Sequence, residues 1–475
     1  MLRLHDTATG AVSEVRFRAA GRASLYVCGP TVYDAPHLGH GRFSLVFDVL
    51  RRYLLFGGRE VTYVSNITDI DDNVIERARL RGVEPAELTS RYEAVWWDAM
   101  AGLSVLRPDA APHATAYVGA MVETIAELET RGVAYETSDG VYLEVAKVPG
   151  YGLLAHQPLE SLRAGARVDA VDEKRSPLDF VLWKKAKPGE PTWSSPWGAG
   201  RPGWHTECVV MSLGLLGDGF DIHGGAIDLI FPHHENERAQ AVALGRDFAH
   251  HWVHNGWVTV DGEKMSKSLG NFSGLDDLLA KGGGRAYRLL VLRSHYRSPI
   301  EVTPETVSDA EAGLARLDEL ARRFSLVALG AGSTPVRSSD HPEIDGEALD
   351  RFCASMDDDL DTPGAVAGIF ELVRKAHTAA DRGEAAGAEL LARTVAVLCG
   401  ALGLDLAGPA VETADPVVDA LVQRRDAARE RRDWALADAL RDELVSLGWV
   451  VEDSPSGTRI RRAAASGGDD ALGRG

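Results

Sequence analysis

No stretch of this 475-residue sequence approaches the ~18–20 uninterrupted apolar residues that a membrane helix requires, so no membrane span is expected. The opening residues, MLRLHDTATG, lack the basic segment and apolar run of a secretory signal. Cysteine is scarce: the four residues Cys28, Cys208, Cys353 and Cys399 lie too far apart to read as a disulfide framework. Reduced thiols in a cytoplasmic chain are the expectation. Basic residues are outnumbered, 51 against 70 acidic, for a net charge of −19. That balance argues against non-specific coating of nucleic acid, while a local basic face stays compatible with it. A phosphate-binding GxxxxGK[ST] loop is absent. The GxGxxG match at 198–203, GAGRPG, contains a proline and follows no clear strand, so it reads as chance.

What is present is ordinary globular composition, 45% hydrophobic and 25% charged. Residues 24–28 read as a buried strand entering the turn GPTVYDAPHLGHG. Phe43, Val46, Phe47, Leu50 and Leu54 then follow a helical period, which Gly57-Gly58 ends. A second strand is expected at 61–65, and the acidic run 68–72 opens another helix. Strand, helix, strand predicts a parallel α/β sheet, doubly wound. The pattern implies a nucleotide-binding domain in two halves, 1–108 and 201–260, with an insertion at 109–200 between them. Within the second half a strand is expected near 220–223, a helix from about His233 and a strand near 257–260. A loop and helical region covers 261–328, a linker 329–346, a helical bundle 347–410, and a small α/β unit 416–462. The tail, 463–475, is small and polar and expected to lack fixed structure.

Three groups of residues can carry chemistry. His37-Leu38-Gly39-His40 stands at a strand-to-helix turn, where unpaired N–H groups and the helix dipole suit phosphate. The same two histidines could equally be capping residues. Lys264-Met265-Ser266-Lys267-Ser268 can meet a polyphosphate, or be a solvated Lys/Ser loop. In His233-His234-Glu235-Asn236-Glu237, His233 and Glu237 share one helical face. With Cys28 and Cys208 they make a donor set suited to zinc, although dispersed cysteines are also common as small buried apolar residues.

Cys28-Gly-Pro-Thr-Val-Tyr-Asp-Ala-Pro-His-Leu-Gly-His, Asn66-Ile-Thr-Asp-Ile-Asp-Asp, Gly203-Trp-His-Thr-Glu-Cys, Phe231-Pro-His-His-Glu-Asn-Glu and Lys264-Met-Ser-Lys-Ser together resemble the cysteinyl-tRNA synthetases, a class I family. The resemblance runs from about residue 2 to 462. It implies a Rossmann-type catalytic domain, a KMSKS loop with a stem-contact region over 261–328, and an anticodon-binding unit at 416–462. It implies L-cysteine, ATP with Mg²⁺, and tRNA(Cys) as substrates of a monomeric ligase. His37, Gly39, His40 and Lys267 match its ATP-binding positions, and His37, His40, Lys264 and Lys267 its catalytic ones. Cys28, Cys208, His233 and Glu237 match the ligands of one zinc ion that holds the substrate thiolate and rejects serine. Cys28, Thr68, Trp204 and Asp228 match positions around the cysteine substrate, with core packing as the other reading of Trp204. Asp69, Asp71 and Asp72 are assigned to a helix start rather than to metal. The cluster Arg424, Arg425, Arg429 and Arg432 is a candidate tRNA contact, or a solvated helical face. One departure stands out: Gly457-Thr458-Arg459-Ile460 has Ile where the family often has Trp, and Ile cannot stack on a base. The alternative is the cysteine:aminosugar ligase of mycothiol synthesis, which shares the catalytic motifs. Glu237, the segment Pro30-Thr31-Val32 and the C-terminal unit argue against it.

Overall fold

A computed structural model describes residues 1–157, 173–260, 263–264, 274–326, 344–406, 416–431, 433–447, 449–454 and 457–462. Lys267, Arg432, most of the expected linker and the expected tail lie outside the described residues. The chain divides into two compact units, one of residues 1–315 with 329–405, the other of 316–328 with 406–475.

The first unit is built on a four-stranded parallel sheet. Its strands are β3 (Arg22–Val27), β4 (Glu60–Val64), β9 (Ile222–Ala226) and β10 (His251–Asn255), in the order β10-β9-β3-β4. β3 and β10 are buried along almost their whole length, as strands covered on both faces must be. The chain leaves β3 toward β4 on one side and later returns to β9 on the other. That reversal opens a crevice at the carboxyl ends of β3 and β9. Before the sheet come the strands β1 (Arg3–Asp6) and β2 (Ala11–Glu14), an antiparallel hairpin. Helix α1 (Leu38–Phe56) crosses from β3 to β4 and is buried on nearly every face. Gly224 is the reason it can lie so close to β9: an added Cβ would stand 2.2 Å from Phe47 Cε1.

Helices α2 (Asp72–Arg81) and α3 (Pro85–Gly102) follow β4. α2 is capped by Asp71, which accepts from Asn73 N at 2.8 Å, and is closed by left-handed Gly82 at φ +66°. Then comes α4 (Val118–Thr130) and a separate antiparallel sheet of β5 (Ala134–Glu136), β6 (Gly140–Leu143), β7 (Phe180–Lys185) and β8 (Gly200–Pro202). The glycine-rich match at 198–203 belongs to this sheet and to no phosphate turn.

Helix α5 (Trp204–Leu216) leads back to β9, and α6 (Glu235–Ala243) leads on to β10. The sequence reading misses β10 altogether, because HWVHN carries too little apolar character to announce a fully buried strand. Regular helix begins at Glu235, after an irregular turn over Ile230–His234, rather than at His233. Beyond the sheet, β11 (Val258–Val260) pairs with β12 (Glu263–Lys264) and with β13 (Ile300–Glu301). Helices α7 (Leu275–Ala280), α8 (Gly284–Leu292) and α9 (Pro304–Arg323) follow, with α9 passing from the first unit to the second at Arg316.

Helices α10 (Gly346–Asp357), α11 (Thr362–Asp381) and α12 (Ala385–Ala401) belong to the same unit as the sheet. A buried ionic joint ties them to it. Asp48 Oδ2 of α1 meets Arg52 Nε at 2.7 Å and Arg288 Nη1 of α8 at 2.8 Å. Arg288 also donates to the carbonyls of Leu103 and Leu402. The second unit contains α13 (Pro416–Glu430), α14 (Trp434–Ser446) and the hairpin β14 (Trp449–Ser454) with β15 (Gly457–Arg462). Val418, Leu421, Leu440, Leu444, Trp449 and Val451 form its core. Among the described residues no helix is long and apolar enough to cross a membrane.

Candidate active site

The crevice at the reversal point holds a cavity of about 400 Å³. Cys28 reaches it from the end of β3, Ala226 from β9 and Asn255 from β10. His37, Gly39 and His40 reach it from the start of α1, and Asp71 and Asn73 from the start of α2. Trp204, Asp228 and Trp257 also line it. Close backbone packing makes the first turn possible: a Cβ on Gly29 would stand 1.7 Å from Asn66 O.

His37 is the N-cap of α1. Its Nδ1 accepts from His40 N at 3.3 Å, and His40 Nδ1 accepts from His37 N at 3.2 Å. The two rings stack with centroids 3.8 Å apart. Because each Nδ1 acts as an acceptor, the proton of each neutral ring sits on Nε2. The cap thus fixes the tautomer and leaves the outer nitrogen of each ring as the donor.

Beneath the cavity lies the donor cluster. Ligand atoms of Cys28, Cys208, His233 and Glu237, all buried, lie within 4.8 Å of one another. Cys28 Sγ is 3.6 Å from Cys208 Sγ and 3.4 Å from Glu237 Oε1. His233 Nε2 is 3.6 Å from Cys208 Sγ and 2.9 Å from Glu237 Oε1. Burial and the neighbouring Cys208 and Glu237 push the Cys28 thiol well up. Burial acts the same way on Cys208, but the bond from Cys28 and the nearby His233 outweigh it and bring Cys208 down to about 6. Burial disfavours a charged His233, yet Glu237 and Cys208 raise it to about 10. Glu237 stays far below the ordinary carboxylate range despite its burial, because His223 and His233 flank it. A divalent cation held by this set would take the place of the protons on Cys28 and His233. Two sulfurs, one imidazole and one carboxylate fit zinc in kind and in number.

The supporting contacts are equally specific. His205 Nδ1 lies 2.9 Å from His233 Nδ1, which turns Nε2 of His233 toward the cluster. His223 Nε2 lies 2.7 Å from the outer oxygen of Glu237, Oε2. Neither histidine stands out in the sequence. His223 could have been noticed as an ionisable residue inside an apolar strand. Trp204 stacks on His233 with centroids 4.0 Å apart and is 36% exposed, so it forms cavity wall and not core.

Some expected residues fall elsewhere. Thr68 does not line the cavity. It is 1% exposed, with its hydroxyl between Asn66 Nδ2 at 3.0 Å and Glu207 Oε2 at 3.1 Å. The threonine at the cavity is Thr31, which bridges to Thr68. Asp228 lines the cavity from a short turn after β9. The acidic run divides its work: Asp69 holds Thr115, Asp71 caps α2, and Asp72 pairs with Lys184 and Arg201. Lys264 ends β12, opposite Thr259. In the second unit Arg424 is exposed and Arg429 half-buried. Arg425 is 2% exposed, and its Nη1 donates to Thr458 Oγ1 at 2.5 Å, which braces β15.

Comparison with known proteins matches the family model for the tRNA synthetase class I (C) catalytic domain over residues 15–312. A DALR domain matches 351–407, and the cysteinyl-tRNA ligase anticodon binding domain matches 413–461. The cysteine–tRNA ligase of Chromobacterium violaceum is 45% identical over 474 residues, covering 98% of this chain and all of that protein. That of Desulfitobacterium hafniense is 43% identical over 472 residues, covering 96% and 99%. The fold is shared with Mycobacterium tuberculosis methionyl-tRNA synthetase, at a TM-score of 0.58 and 17% identity over 80% of this chain and 89% of that one. With the catalytic and anticodon models matched in order and near-complete coverage on both sides, the chain belongs to the cysteine–tRNA ligase family of class I aminoacyl-tRNA synthetases.

Proposed function

We propose that this aminoacyl-tRNA ligase joins L-cysteine to AMP at the crevice and then passes it to the terminal adenosine of tRNA(Cys). The observation that carries the reading is a juxtaposition. Cys28 belongs both to the buried donor cluster and to the wall of the cavity that His37 and His40 enter. A thiol-selecting centre and a phosphate-binding turn therefore open into one space.

The substrate carboxylate is the nucleophile and attacks the α-phosphorus of ATP, so the protein's task is positioning and charge stabilisation. His37 and His40 donate from Nε2 toward the phosphates at the positive end of α1. Lys264 and Lys267 are assigned to the departing pyrophosphate, with Mg²⁺ accompanying ATP. Asp228 offers its carboxylate to the substrate ammonium, and Trp204 closes the pocket over His233. Cys28, Cys208, His233 and Glu237 would hold a zinc ion, which supplies a thiophilic partner for the substrate sulfur. Serine cannot match that partner, and discrimination of this kind exceeds the roughly 10–200-fold available from one methylene. The second unit is assigned to the anticodon, with Arg424 and Arg429 as phosphate contacts. The aminosugar ligase alternative is not supported, since the C-terminal match is to an anticodon-binding domain.

Cysteine-dependent ATP–pyrophosphate exchange, with serine in parallel, followed by charging of tRNA(Cys), tests the reading. Exchange with cysteine alone, one zinc per chain and charging are expected. Exchange without charging, or equal exchange with serine, would overturn it.

A further inference from the structure

We propose that Arg42 is a positioning residue for the activation step, holding the cavity wall Asn255–Val258 and the root of the Lys264 hairpin in register with the His37–His40 turn. This rests on the site reading above.

Arg42 stands two residues after His40 on α1 and is 1% exposed. Its guanidinium ends on backbone carbonyls of two separate segments. Nη1 donates to Trp257 O, and Nη2 donates to Ser298 O, to Tyr296 O at 3.1 Å and to His295 O at 3.4 Å. The two segments meet there, since Gly256 N donates to Tyr296 O at 2.8 Å and Ile300 N to Trp257 O at 2.9 Å. Burial brings Arg42 down to about 10, which leaves it cationic at neutral pH.

The consequence follows along the chain. Trp257 lines the cavity, and the next residue begins β11. Thr259 of β11 pairs with Lys264, while Val258 pairs with Ile300 just past the second segment. Further on, Gly274 bridges back to His37. Lys264 and Gly274 are thus both referred to the first turns of α1, one through the carbonyls on Arg42 and the other through His37. A planar guanidinium spans two segments at a fixed separation, whereas an ammonium is a single point. The cysteine-selecting residues lie on β3, α5 and the approach to α6, outside this linkage.

The test uses the zinc-loaded full chain, with Arg42→Lys, Lys264→Ala and the double variant assayed by ATP–pyrophosphate exchange. Arg42→Lys is expected to lower kcat roughly 10- to 100-fold through misplacement. KM for cysteine and zinc content should stay unchanged. Placed on Lys264→Ala, the same substitution should cost less than it does in the wild type, because the part of the linkage that serves Lys264 is already cut while the wall Asn255–Val258 still depends on Arg42. An equal further loss in both backgrounds, a kcat near wild type, or a raised KM for cysteine would overturn the proposal. Should Arg42→Lys lose its thermal transition, Arg42→Gln takes its place under the same criteria. Absence of exchange in the wild type would overturn the functional reading first, and this proposal with it.

Discussion

His223 is fully buried, away from the wall of the site cavity, yet it determines which oxygen Glu237 shows to the cluster. With Oε2 held at 2.7 Å, only Oε1 faces Cys28 and His233. Replacing such an orienting partner costs about 10- to 100-fold in metal affinity. His223→Ala is therefore expected to lose zinc to a chelator at about that much lower chelator strength, measured by competition, with the fold intact by circular dichroism. At this scale the sequence is most legible where covalent spacing does the work. His233 and Glu237 are four residues apart, and the irregular turn running into α6 still brings them within 2.9 Å. It is least legible where burial decides. Thr68 and Arg425 have the chemistry of binding residues, but the packing of neighbouring elements turns both inward.

Between elements, the Asp48 joint has the most direct energetic consequence. Burial pushes the Asp48 carboxyl up, but Arg288 and Arg52 outweigh it and hold it below the ordinary carboxylate range. A depressed folded value adds stability above the unfolded pKa of ~3.9, and that contribution is lost as pH falls through the folded value. Asp48→Asn leaves two buried guanidinium groups without their carboxylate, at an expected cost of about 3–5 kcal/mol. Denaturant unfolding should show this gap constant from neutral pH down to the ordinary carboxylate range and narrowing only below it. Gly224 offers a second test. Gly224→Ala should cost about 1–3 kcal/mol by forcing α1 off β9, and Phe47→Leu should recover part of that loss if the contact is local. α1 was readable from its period because a long helix repeats its signal. β10 was not, because five residues with two histidines show their burial only once β9 and the β1 strand lie beside them.

At the scale of the whole molecule, both chemical steps are assigned to the first unit and anticodon contact to the second. Neighbouring arginines separate binding from folding. Arg424→Ala should leave pyrophosphate exchange at the wild-type rate. It should weaken tRNA charging and reduce the salt slope of tRNA binding by about one. Arg425→Ala should instead lower the unfolding transition of the second unit, since Thr458 loses its buried donor. The order of domains was legible from the motif order, whereas the membership of α10 to α12 in the catalytic unit was not. Buried Arg288 of α8 helps to join them, and it gives no periodic sign of that role.

The donor cluster also has a consequence in time. Cys28 and Glu237 are 209 residues apart in sequence and 3.4 Å apart in space. During synthesis the first ligand emerges long before the last, so no partial chain that stops short of α6 can assemble the set. Metal capture at this set would report that both halves of the sheet have closed on each other. A zinc ion held there would stabilise the finished fold, by an amount that grows with the logarithm of zinc concentration.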